Sequence, residues 1–255
     1  MKYIIITGTS KGVGESIAKC LLNKNNHLFC ISRSLNKDLI AEAERKGVKL
    51  QYIQQDLNKV EEIEKLMEGI FKNIDTNNTD GVYLINNAGI VAPIKKVEGL
   101  KWEDVSLNLN VNLAAPMLIT SNFIECAKEL KVEKRIINIS SGAGKRPISG
   151  WSAYCSAKAG VDLFTRCVAL EQENEEFPAK VISFGPGIVD TNMQEEIRSS
   201  HKEDFVDLEK FIGFKEQGNL RQPEEVAEAV TELLFSESFE NGKVTSISEY
   251  LSNSK

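Results

Sequence analysis

Tyr154 and Lys158 stand four residues apart in WSAYCSAKAGVDLF, and Ser141 lies thirteen residues ahead of the tyrosine. At that spacing on a helix the phenol and the ammonium share one face. A free tyrosine has a pKa of about 10 and is a poor acid near neutrality, but an adjacent cation favours the phenolate and lowers that value. A phenol tuned in this way can protonate a nascent alkoxide. Any helix can carry Tyr and Lys at this separation, so the meaning of the pair depends on the elements that position it.

Those elements alternate. Short β-rich runs at 3–7, 27–32, 50–54, 82–86, 135–140 and 180–184 are separated by longer amphipathic segments, among them 14–24, 60–73, 103–130, 152–171 and 223–235. This is the pattern of βαβ units. YIIIT, VYLIN and RIINIS are nearly continuous in apolar residues, as strands covered by helices on both faces must be. The expectation is an α/β fold, a doubly wound parallel sheet flanked by helices on both faces, with 243–247 as an edge strand. The segment at 223–235 opens with Pro223, Glu224 and Glu225, which suit the first turn of a helix. In such sheets ligands sit outside the carboxyl ends of the strands.

The first strand runs into TGTSKGVG, where Gly8, Ser10, Lys11, Gly12 and Val13 lead into a helix. Small residues there let the backbone approach a pyrophosphate at the positive helix end. The second strand ends at Ser32 and Arg33, where an Asp or Glu would have favoured the free 2′-hydroxyl of NAD. Arg33 and Lys11 instead suit a 2′-phosphate, so the predicted cofactor is NADPH/NADP. Asp56 either receives the adenine amino group or caps the next helix. Asn87, Ala88 and Gly89 follow the fourth strand, where small residues bring backbone close to the cofactor or simply make a turn.

Composition sets outer limits. At 255 residues with 42% hydrophobic and 27% charged content, the chain suits one domain over 1–255. Disorder is confined, at most, to the tail after Tyr250. A net charge of −6 argues against a nucleic-acid partner. Neither a membrane span nor a secretory segment is legible, and a cytoplasmic location is the default. Cys20, Cys30, Cys126, Cys155 and Cys167 are scattered without CxxC, which suits reduced buried thiols. His27 and His201 have no nearby ligand cluster, so no metal site is expected.

With TGTSKGVG, NNAG at 86–89, NVN at 110–112, Ser141, YCSAK at 154–158 and PG at 186–187 in this order, the chain resembles the short-chain dehydrogenase/reductase family along nearly its full length. The resemblance implies a Rossmann-like fold. It implies Tyr154 as general acid or base, Lys158 as its tuner and holder of the nicotinamide ribose, Ser141 as the group polarising the substrate oxygen, and Asn112 as the anchor of a water in a proton relay. Pro186, Gly187, Ile188 and Thr191 resemble the positions that meet the nicotinamide end, although Thr191 equally suits a helix cap.

The segment GAGKRPISGW ends at Trp151, an apolar wall for a small-molecule substrate. Residues 191–221 carry Met193, Ile197, Phe205, Leu208, Phe211, Ile212 and Phe214 among many charges, which predicts amphipathic helices. In the family this region commonly forms a lid. ISSGAGK, GWSAYCSAKAGV, PGIVDTNMQ and IRSSHKEDF look like the branch of bacterial benzil reductases forming (S)-benzoin, itself similar to sepiapterin reductase. That implies reduction of one carbonyl of an aromatic 1,2-diketone. Pterin side-chain reduction, with Glu249 as a candidate anchor, and a non-catalytic NADPH-sensing regulator are the other readings. NGKVTSISEY replaces the family's usual VDGG-like ending, so a homodimer is left open where a tetramer would be usual.

Overall fold

The three runs that read as strands buried on both faces occupy the centre of the sheet. The computed structural model describes residues 1–253. Its strands are β1 (Lys2–Thr7), β2 (Asn26–Ser32), β3 (Lys49–Gln54), β4 (Gly81–Asn86), β5 (Glu133–Ile139), β6 (Ala179–Gly185) and β7 (Val244–Ser246). They form one parallel sheet in the order β3-β2-β1-β4-β5-β6-β7. The direction of winding reverses between β1 and β4, and a reversal of this kind opens a crevice at the carboxyl ends of the strands.

Ten α-helices accompany the sheet among the described residues: α1 (Gly12–Cys20), α2 (Lys37–Lys46), α3 (Ile63–Phe71), α4 (Trp102–Leu109), α5 (Ala115–Ala127), α6 (Ser152–Glu171), α7 (Asn192–Arg198), α8 (Leu208–Glu216), α9 (Pro223–Phe235) and α10 (Ile247–Asn253). The alternation of β1 sorts its side chains into two cores. Ile4 and Ile6 join Ile17 of α1 and Val226 and Val230 of α9. Tyr3 and Ile5 join Ile63 and Met67 of α3, Ile119 and Phe123 of α5, and Val168 of α6. A third cluster, outside the sheet, holds Trp151, Tyr154, Ile197, Phe205, Leu208 and Phe211.

Several expectations are corrected. The segment 103–130 is not one helix: a π-helical turn at Asn110–Ala114 separates α4 from α5. Segment 60–73 opens with a 3-10 turn at Val60–Glu62 and is α-helical only over Ile63–Phe71, and α1 spans Gly12–Cys20 where 14–24 was expected. Helix α2 has no counterpart in the sequence reading, because it is short and largely polar and buries only Leu39 and Ala43. The thiols are free but not uniformly buried. Only Cys30 is buried, while Cys20 and Cys167 are exposed on outward helix faces. Helix α10 runs past Tyr250 to Asn253, and the remainder of the tail lies outside the described residues. Pro223 does open its helix, with Gln222 and Glu225 closing a capping box.

Candidate active site

Helix α6 carries Tyr154, Lys158 and Asp162 at successive i+4 positions of its buried face. Two close contacts fix what this face meets. A Cβ added to Gly144 would lie 2.9 Å from Asp162 Oδ2 and from the Lys158 carbonyl carbon, so the 3-10 turn Gly142–Gly144 lies directly on the helix. Ser141 starts that turn and accepts from the Ala143 N–H at 3.1 Å. A Cβ on Gly160 would sit 2.9 Å from Leu113, so the π-helical turn packs on the same helix.

The charges here differ from the sequence expectation. Burial pushes the Tyr154 phenol up to about 12, with a side-chain hydrogen bond to Ser141 acting in the opposite direction. Lys158 does not pull it down: its Nζ lies 5.8 Å from the phenol ring centroid and donates to the Ile139 carbonyl at 2.9 Å. Burial takes Lys158 itself down to about 8, opposed by the charge of Asp162. Desolvation outweighs the cation because both groups lie inside the protein. Asp162 was missed in the sequence, although its place one turn beyond Lys158 was legible; it accepts from Ser183 Oγ at 2.5 Å.

Asn112 is buried in the π-helical turn, a form of helix that recurs at functional sites. Its amide makes a reciprocal pair with Ile90, accepting from the N–H at 3.0 Å and donating to the C=O at 2.8 Å. The adjoining Gly89 is tightly packed, since a Cβ would lie 3.0 Å from Asn112 Oδ1 and 3.6 Å from Lys158 Nζ.

The glycine turn is held from the far side by Asn87. Its Nδ2 donates to the carbonyls of Thr7 at 3.0 Å and Gly8 at 3.3 Å, and Thr7 Oγ1 accepts from the N–H groups of Asn87 and Ala88. Gly8 and Gly12 have φ of 76° and 62°, the left-handed region that favours glycine. The turn forms a bare cradle at the start of α1, and Ser10, Lys11, Gly12 and Val13 line it. Lys11 and Arg33 are exposed on the same cavity and make no ion pair among the described residues. Asp56 does not cap the next helix, whose N-cap is Lys59; one carboxylate oxygen accepts from the Asn58 N–H at 3.0 Å in a local turn. Asp56 borders the cavity as well.

One cavity of about 450 Å³ joins these parts. It runs from the glycine turn past Ser32, Arg33 and Asp56, along Asn87–Gly89, to Ser141, Tyr154 and Lys158, and is closed by Pro186, Gly187, Ile188 and Thr191. Thr191 takes the N-cap position of α7 without capping it; its hydroxyl donates to Val189 O at 3.4 Å. The Ile188 carbonyl is taken by the Arg221 N–H at 3.0 Å. At the opposite end α7 and α8 contribute Met193, Ile197, Phe211 and Phe214. Trp151 stacks on Phe205 with centroids 5.2 Å apart and meets Tyr154 edge-on at 5.6 Å. Glu249 lies elsewhere, capping α10 through the Ser246 N–H at 3.0 Å and pairing with Lys145 at 3.6 Å.

Sheet order, glycine turn and the convergence of Ser141, Tyr154 and Lys158 on one cavity define an oxidoreductase of the short-chain dehydrogenase class. Residues 2–202 match the short chain dehydrogenase family model, and the chain belongs to that family. It is 48% identical over 249 residues to a benzil reductase ((S)-benzoin forming) of Bacillus cereus, covering 98% of this chain and 100% of that one. It is 25% identical over 248 residues to a sepiapterin reductase of Xenopus laevis, covering 93% and 92%. Among solved structures, the KRED1-Pglu enzyme superposes with a TM-score of 0.81 at 27% identity, covering 96% of this chain and 100% of that one. No helix among the described residues is long and apolar enough to cross a membrane.

Proposed function

We propose that this chain is an NADPH-dependent carbonyl reductase acting on one carbonyl of an aromatic 1,2-diketone such as benzil, to give (S)-benzoin. One observation carries the reading: a single cavity places a buried phenol between a glycine cradle and an aromatic wall. The 48% identity to a benzil reductase supports the substrate class.

The residues fit a dinucleotide. The turn packs so closely at Gly8 and Gly14 that neither position admits a methyl group, which keeps its backbone at the start of α1 available to phosphates. Lys11 in the glycine turn and Arg33 just after β2, both without an ion-pair partner among the described residues, offer charge-assisted donors for a 2′-phosphate. When bound, the dihydronicotinamide supplies the hydride that reaches the carbonyl carbon. Tyr154 supplies the proton. A phenol held near 12 stays protonated at neutral pH, and an alkoxide is a far stronger base than a phenolate. Ser141 orients the carbonyl oxygen towards that proton, and Lys158, near 8, exchanges protons with the phenolate left behind. Asn112 holds the 89–90 segment against Lys158.

The test follows NADPH absorbance with benzil, isatin and sepiapterin, with chiral chromatography of the benzoin formed. Consumption with benzil and an (S) product is expected, and Arg33→Ala should raise the NADPH KM about tenfold with little change for NADH. Equal efficiency with NADH would overturn the cofactor assignment. Silence across the panel would favour an NADPH sensor.

A further inference from the structure

The charge on the cavity wall runs against that of the chain. The sequence carries 31 Lys and Arg against 37 Asp and Glu. The cavity is lined by five cations, Lys11, Arg33, Arg146, Lys158 and Lys210, and by one acid, Asp56. Three of the cations have places in the proposed reaction. Arg146 and Lys210 have none.

These two come from separate elements, and each borders the same cavity as the aromatic wall. Arg146 follows the turn that begins at Ser141 and precedes Ile148 and Trp151 in the cavity wall. Lys210 sits on α8 between Leu208 and Phe211, with its Nζ 5.9 Å from the Phe214 ring centroid. Neighbouring lysines are neutralised: Lys145 pairs with Glu249 at 3.6 Å, Lys202 with Glu209 at 3.0 Å, and Lys215 with Asp190 at 2.5 Å. Arg146 and Lys210 are exposed and have no such acid among the described residues.

Unpaired cations on the wall of one cleft attract an anionic ligand, and the cleft walls focus their field. A ligand that satisfies both the cations and the aromatic wall is apolar along its length and anionic at its far end. We propose that the substrate is an aryl ketone or diketone whose end remote from the reacting carbonyl carries a carboxylate, held by Arg146 and Lys210. This rests on the carbonyl-reductase reading and narrows it. The reacting carbonyl sits at Ser141 and Tyr154, the aryl body lies along Trp151, Phe211 and Phe214, and the carboxylate takes the rim.

The test compares 4-carboxybenzil with its methyl ester, a neutral molecule of nearly the same shape. Each is titrated into the full chain saturated with NADP, with tryptophan fluorescence as readout, at low and high salt. Turnover of each is followed separately. The wild type should bind the acid about tenfold tighter than the ester. High salt and Arg146→Ala/Lys210→Ala should each bring that ratio close to one, because exposed charges are screened. The kcat/KM ratio should move with it. Equal binding of acid and ester, or a preference that survives the double substitution, would overturn the proposal. So would a double variant whose acid-to-ester ratio is intact and whose NADP binding is weakened, since the cations would then serve the cofactor. Preferential binding of the acid with no turnover of either compound would leave the anion site standing and remove the reductase reading. Turnover of both with no preference would do the reverse.

Discussion

A methyl group placed on Gly14 would lie 2.2 Å from the Gly8 carbonyl oxygen, whereas at the opposite end of the same cavity the wall is made of whole aromatic rings, Trp151 on Phe205 and Phe211. The first end is backbone, pinned by Asn87 to Thr7 and Gly8, and it has no freedom to vary. The second is side chain, drawn from a loop and two short helices. It retains buried polar atoms without partners among the described residues, including Trp151 Nε1 and Gln194 Oε1. A backbone cradle recognises a group by phosphate geometry and needs no particular side chains. An aromatic wall recognises a group by shape, so exchanging a few side chains changes the ligand while the sheet stays as it is. Tyr154 sits at the seam, and both halves depend on α6.

Removing the seam residue gives the largest effect. Tyr154→Phe should lower kcat about 10³-fold in steady-state assays and leave cofactor binding within about twofold; substantial residual turnover would show that another group delivers the proton. On the substrate side, Phe205→Ala removes a fully buried ring stacked on Trp151. It should cost about 3–5 kcal/mol locally. Limited proteolysis should then cut within 191–221 far faster, with cofactor binding kept; if the cofactor site loosened equally, the two halves would not be separable.

Lys158 tests the seam from the other direction. Its folded pKa near 8 lies below the ordinary 10.5, so burying the charge destabilises the fold by about 3 kcal/mol at pH 7. The unfolded chain holds more protons between those values, so this penalty is complete below pH 8 and is relieved as pH rises towards about 10. Lys158→Met should therefore be inactive yet more stable than the wild type at pH 7, and denaturant titrations should show that advantage shrinking from pH 8 to 10. A constant advantage across that range would contradict the depressed pKa. At the cradle, Gly14→Ala would press a methyl against the Gly8 carbonyl and the Asn87 amide, so it should cost about 3 kcal/mol by overpacking and weaken cofactor binding. Thermal melts with and without cofactor would show both, and an unchanged cofactor affinity would mean that the turn has room to give.

Legibility in the sequence followed the range of the interactions involved. The central strands were readable because apolar residues on both faces leave a continuous run. The glycine turn was readable because its position after β1 is set by chain order. Helix α2 was not, since it buries two residues and is held by the Asn36 cap, whose side chain accepts from the Leu39 N–H at 2.9 Å. The π-helical turn at Asn110–Ala114 was also hidden, because apolar periodicity continues through it while the backbone register slips. The direction of the Tyr154 shift was misjudged for a related reason: spacing along a helix gives neighbours and says nothing of how deeply the pair is buried.

The sequence by itself determined the order of elements, the candidate residues Ser141, Tyr154, Lys158 and Asn112, and the absence of an acid at the end of β2, because each is a matter of residue type and local spacing. Only the tertiary structure decided that burial governs both the phenol and the ammonium, and that Phe205 lies on Trp151 fifty-four residues away. It alone showed that five cations line one cavity of an acidic protein. Desolvation, stacking and summed fields depend on groups distant in the chain, and their strength is fixed only when the sheet brings those groups together.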